Sequence, residues 1–272
     1  MRRRAIALAL AGGAFFLCGQ DRGKETALGA QLASQFRSKT VPLGLPEIDQ
    51  YVRNLTGKLA GQMSTGAVDW TPSVIRDRRG GSTCEPISLP GGYLFVPARL
   101  ILGAGNEAEL AGMLAHSMAH VIAMHGTRVA ATADLTTLPM IFVSGLGLGG
   151  DDEQSLIPVG FLETQRQYEL EADRFAVLVM RAAGCNPSAL SSYDGRMQLR
   201  EDSRPAKASS PLPSRQARLS NLRQAMKDLP PLNTQPRVDD FHSIQDEVRS
   251  EFESAAAAPR LNHIPSLTNP AR

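Results

Sequence analysis

The sequence predicts an α+β fold, mostly helical with one small sheet, on three observations. Apolar residues recur at helical spacing over long segments: Ile48, Tyr51, Val52, Leu55 and Leu59 line one face of a helix over 46–63, and longer helical patterns run from Asn106 to about Ala133 and from Phe161 to Ala183. Only two short stretches, Thr71–Asp77 and Gly91–Val96, read as strands, and a Gly/Ser/Pro-rich connection separates them. A chain of 272 residues with 42% hydrophobic and 21% charged residues can bury one sizeable core, but hardly two.

The elements follow in order. Arg2, Arg3 and Arg4 precede an apolar stretch, Ala5–Leu17, which is too short for a comfortable membrane span and suits a secretory signal over residues 1–20. The competing reading is a buried N-terminal helix. Cys18 marks a candidate lipid attachment site, which would anchor the chain to a membrane, although the bulky Leu17 stands where a small residue is expected. A helix is expected over Lys24–Phe36. Asn106 can cap the next long helix, with Glu109 as its reciprocal partner. Thr136–Gly150 is apolar and glycine-rich, either a loop or a segment that dips into a surface. Gly184 and Pro187 end the helix of Phe161–Ala183. Ser188–Leu199 and Arg215–Lys227 read as further helices, with a Pro/Ser-rich loop over Arg204–Ser214 between them. Residues 23–227 form the expected domain. Residues 228–272 form a proline-punctuated, partly disordered tail with one helix at Asp239–Ser254.

Charge excludes one class of partner. The formal net charge is +2, and without the three N-terminal arginines the remainder is close to neutral, so no run of the chain points to nucleic acid. Cys84 and Cys185 could pair in an oxidising compartment or stay as two isolated thiols. Their separation in sequence decides nothing.

The chemistry-bearing segment is Leu114–His125 (LAHSMAHVIAMH). His116 and His120 lie one helical turn apart on one face, so both imidazoles can reach one metal ion. Alone, the pair fits two structural histidines equally well. The balance changes at Tyr168–Asp173 (YELEAD), where Glu169 and Asp173 share a face of the second long helix. Two histidines and Glu169 would complete a three-ligand zinc site with one position open. Asp173 is placed to hold a ligating histidine from behind. The plainer reading of the acidic residues is a solvated helix face. His125 lies half a turn round a continuing helix, so it is expected to stay outside the site, as a polar residue near a helix end.

These residues carry a resemblance. LPGGYLFV (Leu89–Val96), Asn106–His125 and QRQYELEADRFAVLVMRAAGCNP (Gln165–Pro187) resemble metallopeptidase family 48, the family of the CAAX prenyl protease and of the periplasmic protease that assists β-barrel assembly. The likeness runs weakly upstream and covers roughly residues 23–225. It implies a zincin-like domain of the gluzincin type, with one zinc ion on His116, His120 and Glu169, and Asp173 behind a histidine. It further implies that Gly91, Gly92, Tyr93, Leu94 and Phe95 form an edge strand that pairs with extended polypeptide. Envelope assembly machinery would then be a partner and the periplasm or cell envelope the place.

The chain departs from the family at position 117. The family has H-E-x-x-H, whose glutamate takes a proton from the attacking water and passes it to the leaving amine. Here the segment reads His116-Ser117-Met118-Ala119-His120, and serine has no useful basicity at neutral pH. Losing a positioned general base costs about 10²–10⁴ in rate. A second departure lies at Ser210-Pro211, where many bacterial members carry His-Pro before a helix with an arginine, here Arg218. Three readings follow: a zinc-binding relative that no longer hydrolyses peptides, a working endopeptidase served by an unusual base such as Glu171, and a metal-free scaffold.

Overall fold

The structure is a computed structural model that describes residues 22–63, 68–76, 85–125, 159–201, 213–230, 232 and 238–257. The signal of residues 1–20, Cys18, Cys84, the Thr136–Gly150 segment, Ser210 and the last residues of the tail lie outside that range.

Helix α1 (Arg22–Lys39) leads through strand β1 (Val41–Pro42) to α2 (Pro46–Ala60). Strands β2 (Thr71–Arg76), β3 (Ile87–Leu89) and β4 (Tyr93–Pro97) complete a sheet of order β1-β2-β4-β3. β4 runs parallel to β2 and antiparallel to β3. Alternation along the strands sorts side chains between two cores. Val74, Leu94 and Val96 face the main core, where Ile48, Val52, Leu55 and Leu59 of α2 meet them. Ile75, Leu89 and Phe95 face the other way and pack against Ala33 and Phe36 of α1, with the Phe36 and Phe95 rings 4.5 Å apart.

The expected strand at Gly91–Val96 therefore needs correcting. Pro90–Gly92 forms a 3-10 turn, with Gly91 and Gly92 at φ 78° and 94°, and the strand itself is Tyr93–Pro97. Both of its sides are occupied, so it is interior to the sheet and cannot add a substrate strand. Among the described residues the sheet ends in β1 on one side and in β3 on the other, and β3 packs beside the histidine-bearing helix. Neither β1 nor the short helix α3 (Ala98–Gly103) is legible as a separate element in the sequence.

Helix α4 (Glu107–Ile122) is the centre of the molecule, with every residue from Glu109 to Ala119 buried. Asn106 caps it as expected, its Oδ1 accepting from the Glu109 amide at 3.0 Å. The Glu109 carboxylate instead accepts from the Gly105 amide at 2.6 Å and pairs with Arg196. The helix stops well short of Ala133. Met124 takes a left-handed conformation at φ 55°, and the chain turns there.

Helix α5 (Val159–Ala182) crosses α4 and closes as its sequence predicts, with Gly184 at φ 74° and the Cys185 amide donating to Met180 O at 2.8 Å. Helices α6 (Ser188–Glu201) and α7 (Arg215–Met226) pack around this pair. Part of the segment taken as tail is α8 (Val238–Ala257), which docks on α3. Buried Gln245 donates to the carbonyls of Ile101 at 2.9 Å and Ala104 at 2.7 Å, satisfying groups that the end of α3 leaves unpaired. Among the described residues no helix is long and apolar enough to cross a membrane.

Candidate metal centre

α4 and α5 cross so that the histidine face of one meets the acidic face of the other. His116 Nε2 lies 3.2 Å from His120 Nε2 and 3.2 Å from Glu169 Oε2, and His120 Nε2 lies 3.5 Å from Glu169 Oε1. A tetrahedral ion with bonds of 2.0–2.1 Å holds its donors about 3.3 Å apart, so the spacing fits an ion of zinc's size. The donor set, two imidazoles and a carboxylate, suits zinc as well, and these three residues form a group able to hold a metal.

Behind His116 lies a buried chain of charge. Its Nδ1 is 2.9 Å from Asp173 Oδ1, so the imidazole presents Nε2 to the metal position. Asp173 is wholly buried and accepts from Arg218 Nε at 3.0 Å and Nη2 at 2.7 Å, a two-pronged pair. Arg218, itself buried, also lies 3.2 Å from Asp194 Oδ2 and 3.9 Å from Glu85 Oε1. Burial opposes charge on His116, yet Asp173 and Glu169 outweigh it and raise the imidazole pKa to about 10. Burial likewise opposes the Glu169 carboxylate, but His120 and His116 hold its pKa well below the usual range. Burial pushes the Asp194 carboxyl up to about 7, against the pull of Arg218. The centre is an anionic pocket that a proton on His116 neutralises in part. A dication fits it by charge as well as by spacing.

Ser117 is buried on α4, and its hydroxyl donates to the Pro86 carbonyl at 3.2 Å, just ahead of β3. The residue at the position after the first histidine therefore ties helix to sheet.

The sequence model of peptidase family M48 matches residues 84–226, just over half of the chain. This chain belongs to peptidase family M48. The matched span of this M48 chain runs from just before β3 to the end of α7, and so holds every member of the centre. A putative beta-barrel assembly-enhancing protease of Vibrio cholerae is 25% identical over 231 residues, 80% of this chain and 47% of that protein. The beta-barrel assembly-enhancing protease of Escherichia coli K12 is 23% identical over 232 residues, again 80% of this chain and 47% of its own length. Mitochondrial metalloendopeptidase OMA1 of Schizosaccharomyces pombe is 27% identical over 173 residues, 63% of this chain and 50% of that protein. The chain thus spans about half the length of these curated relatives.

The M48 centre also holds residues that sequence reasoning missed. His125, expected to stay away, is buried, with its Nδ1 3.1 Å from His120 Nδ1. A continuing helix would have carried it off, and the turn at Met124 returns it. Nothing in the spacing signals that turn. Arg218 stands out in the sequence only through the resemblance, and Asp194 carries no local signal at all. Their burial comes from the packing of α6 against α4 and α7, and of α7 against α5.

Proposed function

We propose that this M48 chain is an exported zinc-binding protein that holds one zinc ion on His116, His120 and Glu169, binds extended polypeptide and does not hydrolyse it. Bound zinc supplies Lewis acidity, polarising a carbonyl and acidifying water. The remaining work in such a site belongs to a general base, and the observation that carries the reading is Ser117. Its buried hydroxyl donates to Pro86 O, so it neither takes a proton nor presents a nucleophile. Glu171, the candidate substitute, has its Oε2 3.4 Å from His125 Nε2, which engages it away from that task.

The polypeptide is taken at β3 rather than at Tyr93–Phe95, since β3 ends the described sheet beside α4. The names of the Vibrio and Escherichia relatives, beta-barrel assembly-enhancing proteases, support a role among envelope proteins and their assembly machinery. The positive start and apolar stretch of residues 1–17 support export to the periplasm or envelope, with a lipid anchor at Cys18 as one route to the membrane.

The test is cleavage of an unstructured protein by the zinc-loaded chain beside its Ser117→Glu variant. Cleavage by the variant alone, at least about 10²-fold above the natural chain, is the expected result. Equal cleavage by both would mean that another base serves the site and the reading is wrong.

A further inference from the structure

The two metal-facing histidines are held differently. His116 leans on a carboxylate, Asp173, whereas the group behind His120 is a third histidine. His120 Nδ1 and His125 Nδ1 are 3.1 Å apart, and two ring nitrogens at that distance share one proton. If His120 is to offer the lone pair of Nε2 to a metal, the proton must sit on its own Nδ1, which makes His125 the acceptor. His125 then carries its proton on Nε2, and that atom lies 3.4 Å from Glu171 Oε2. The ring is clamped as well: it stacks on Tyr168 with centroids 4.3 Å apart and planes 8° apart.

We propose that His125 is a positioning residue of the metal centre: Tyr168 fixes its plane, the nearby Glu171 carboxylate favours its proton on Nε2, and its Nδ1 holds His120 with Nε2 toward the ion. This rests on the reading that His116, His120 and Glu169 hold zinc. The reverse proton arrangement would put N–H on His120 Nε2, 3.5 Å from Glu169 Oε1, and close the centre to metal. In this way the segment YELEAD serves α4 along its whole length. Tyr168 and Glu171 set His125, Glu169 faces both metal-facing histidines, and Asp173 sets His116. The turn at Met124, a non-glycine residue at φ 55°, is what brings His125 into place. A left-handed backbone is unfavourable for a non-glycine residue, and burying the stacked ring offsets that cost.

The experiment compares zinc affinity, by competition with a chromophoric chelator, in the full natural chain, His125→Asn, His125→Gln and His116→Ala. The melting temperature of each zinc-free form is measured alongside. Asparagine places an oxygen near the position of Nδ1 and keeps an acceptor for His120, while glutamine carries its polar end further out. The expected result is a loss of about 10–100-fold for His125→Gln, with His125→Asn within about threefold of the natural chain. The two zinc-free variants should melt together. Native affinity in both variants would overturn the positioning role while leaving the metal reading intact. Equal losses in both, accompanied by equal falls in zinc-free melting temperature, would make His125 a packing residue and also overturn it. If the natural chain binds zinc no better than His116→Ala, the metal reading itself fails and this inference goes with it.

Discussion

His116 shows how burial and charge set the behaviour of a single side chain. It is packed inside a helix that is apolar on nearly every face, which disfavours an imidazolium, yet Asp173 and Glu169 together keep the ring protonated up to about pH 10. A metal needs the lone pair that this proton occupies, so binding must expel the proton. The sign follows: below about 10 the metal-free form holds the proton, so zinc affinity rises with pH. Chelator competition across pH 6–8 should show about a tenfold gain per pH unit, the slope for one proton released. A flat profile would mean that the proton does not occupy the ligand nitrogen. His116, His120 and Glu169 were candidates from the sequence: helical spacing puts the histidines on one face, and the acidic segment Tyr168–Asp173, with the family resemblance, added Glu169. Arg218 and Asp194 were not read as part of the centre, because they come from helices whose sequences carry no sign of what they pack against.

Element boundaries were read well where a signal within one turn marks them. Asn106 and Glu109 announce α4 through side-chain chemistry within one turn, and Gly184 closes α5 for an equally local reason. The end of α4 at Ile122 is set instead by what His125 meets on α5, a distant segment. The sheet shows the same limit. Apolar alternation placed a strand near Gly91–Val96, but which strand is the edge depends on pairing with β2 and β3. At this scale the contact of α1 with the Pro90–Gly92 turn can be tested. A methyl group on Gly29 would lie 1.7 Å from the Pro90 carbonyl oxygen, so Gly29→Ala must push α1 away from the sheet. Urea unfolding should report a loss of about 1–3 kcal/mol. The control is Gly57→Ala in α2, where nothing lies within 4 Å of the added methyl. It should gain about 0.5–1 kcal/mol. Equal stability of Gly29→Ala and the natural chain would mean that α1 does not sit on that turn.

Across the whole molecule, α4 and α5 form the centre, the sheet flanks α4 on one side, and α6, α7 and α8 brace the assembly. Because the candidate metal centre joins the two central helices, zinc should stabilise the entire fold by mass action. Zinc at 100 times its dissociation constant should add about 2.7 kcal/mol, a rise of several degrees in melting temperature that a chelator removes. An unchanged melting temperature after chelation, with no zinc in the purified protein, would favour a metal-free scaffold. The α+β class, the two long helices and the three residues that make up the candidate metal centre could all be read from the chain. So could the serine that stands after the first histidine. Those properties are local: periodicity, capping and the identity of a side chain act within a few turns of helix. Long-range packing set the rest: β3 ends the described sheet, α8 joins the core, Ser117 is engaged by Pro86, and His125 returns to stand behind His120. Each of those outcomes depends on which distant surfaces share a core. One chain read linearly does not specify such contacts, because they arise from burial summed over many residues rather than from any one motif.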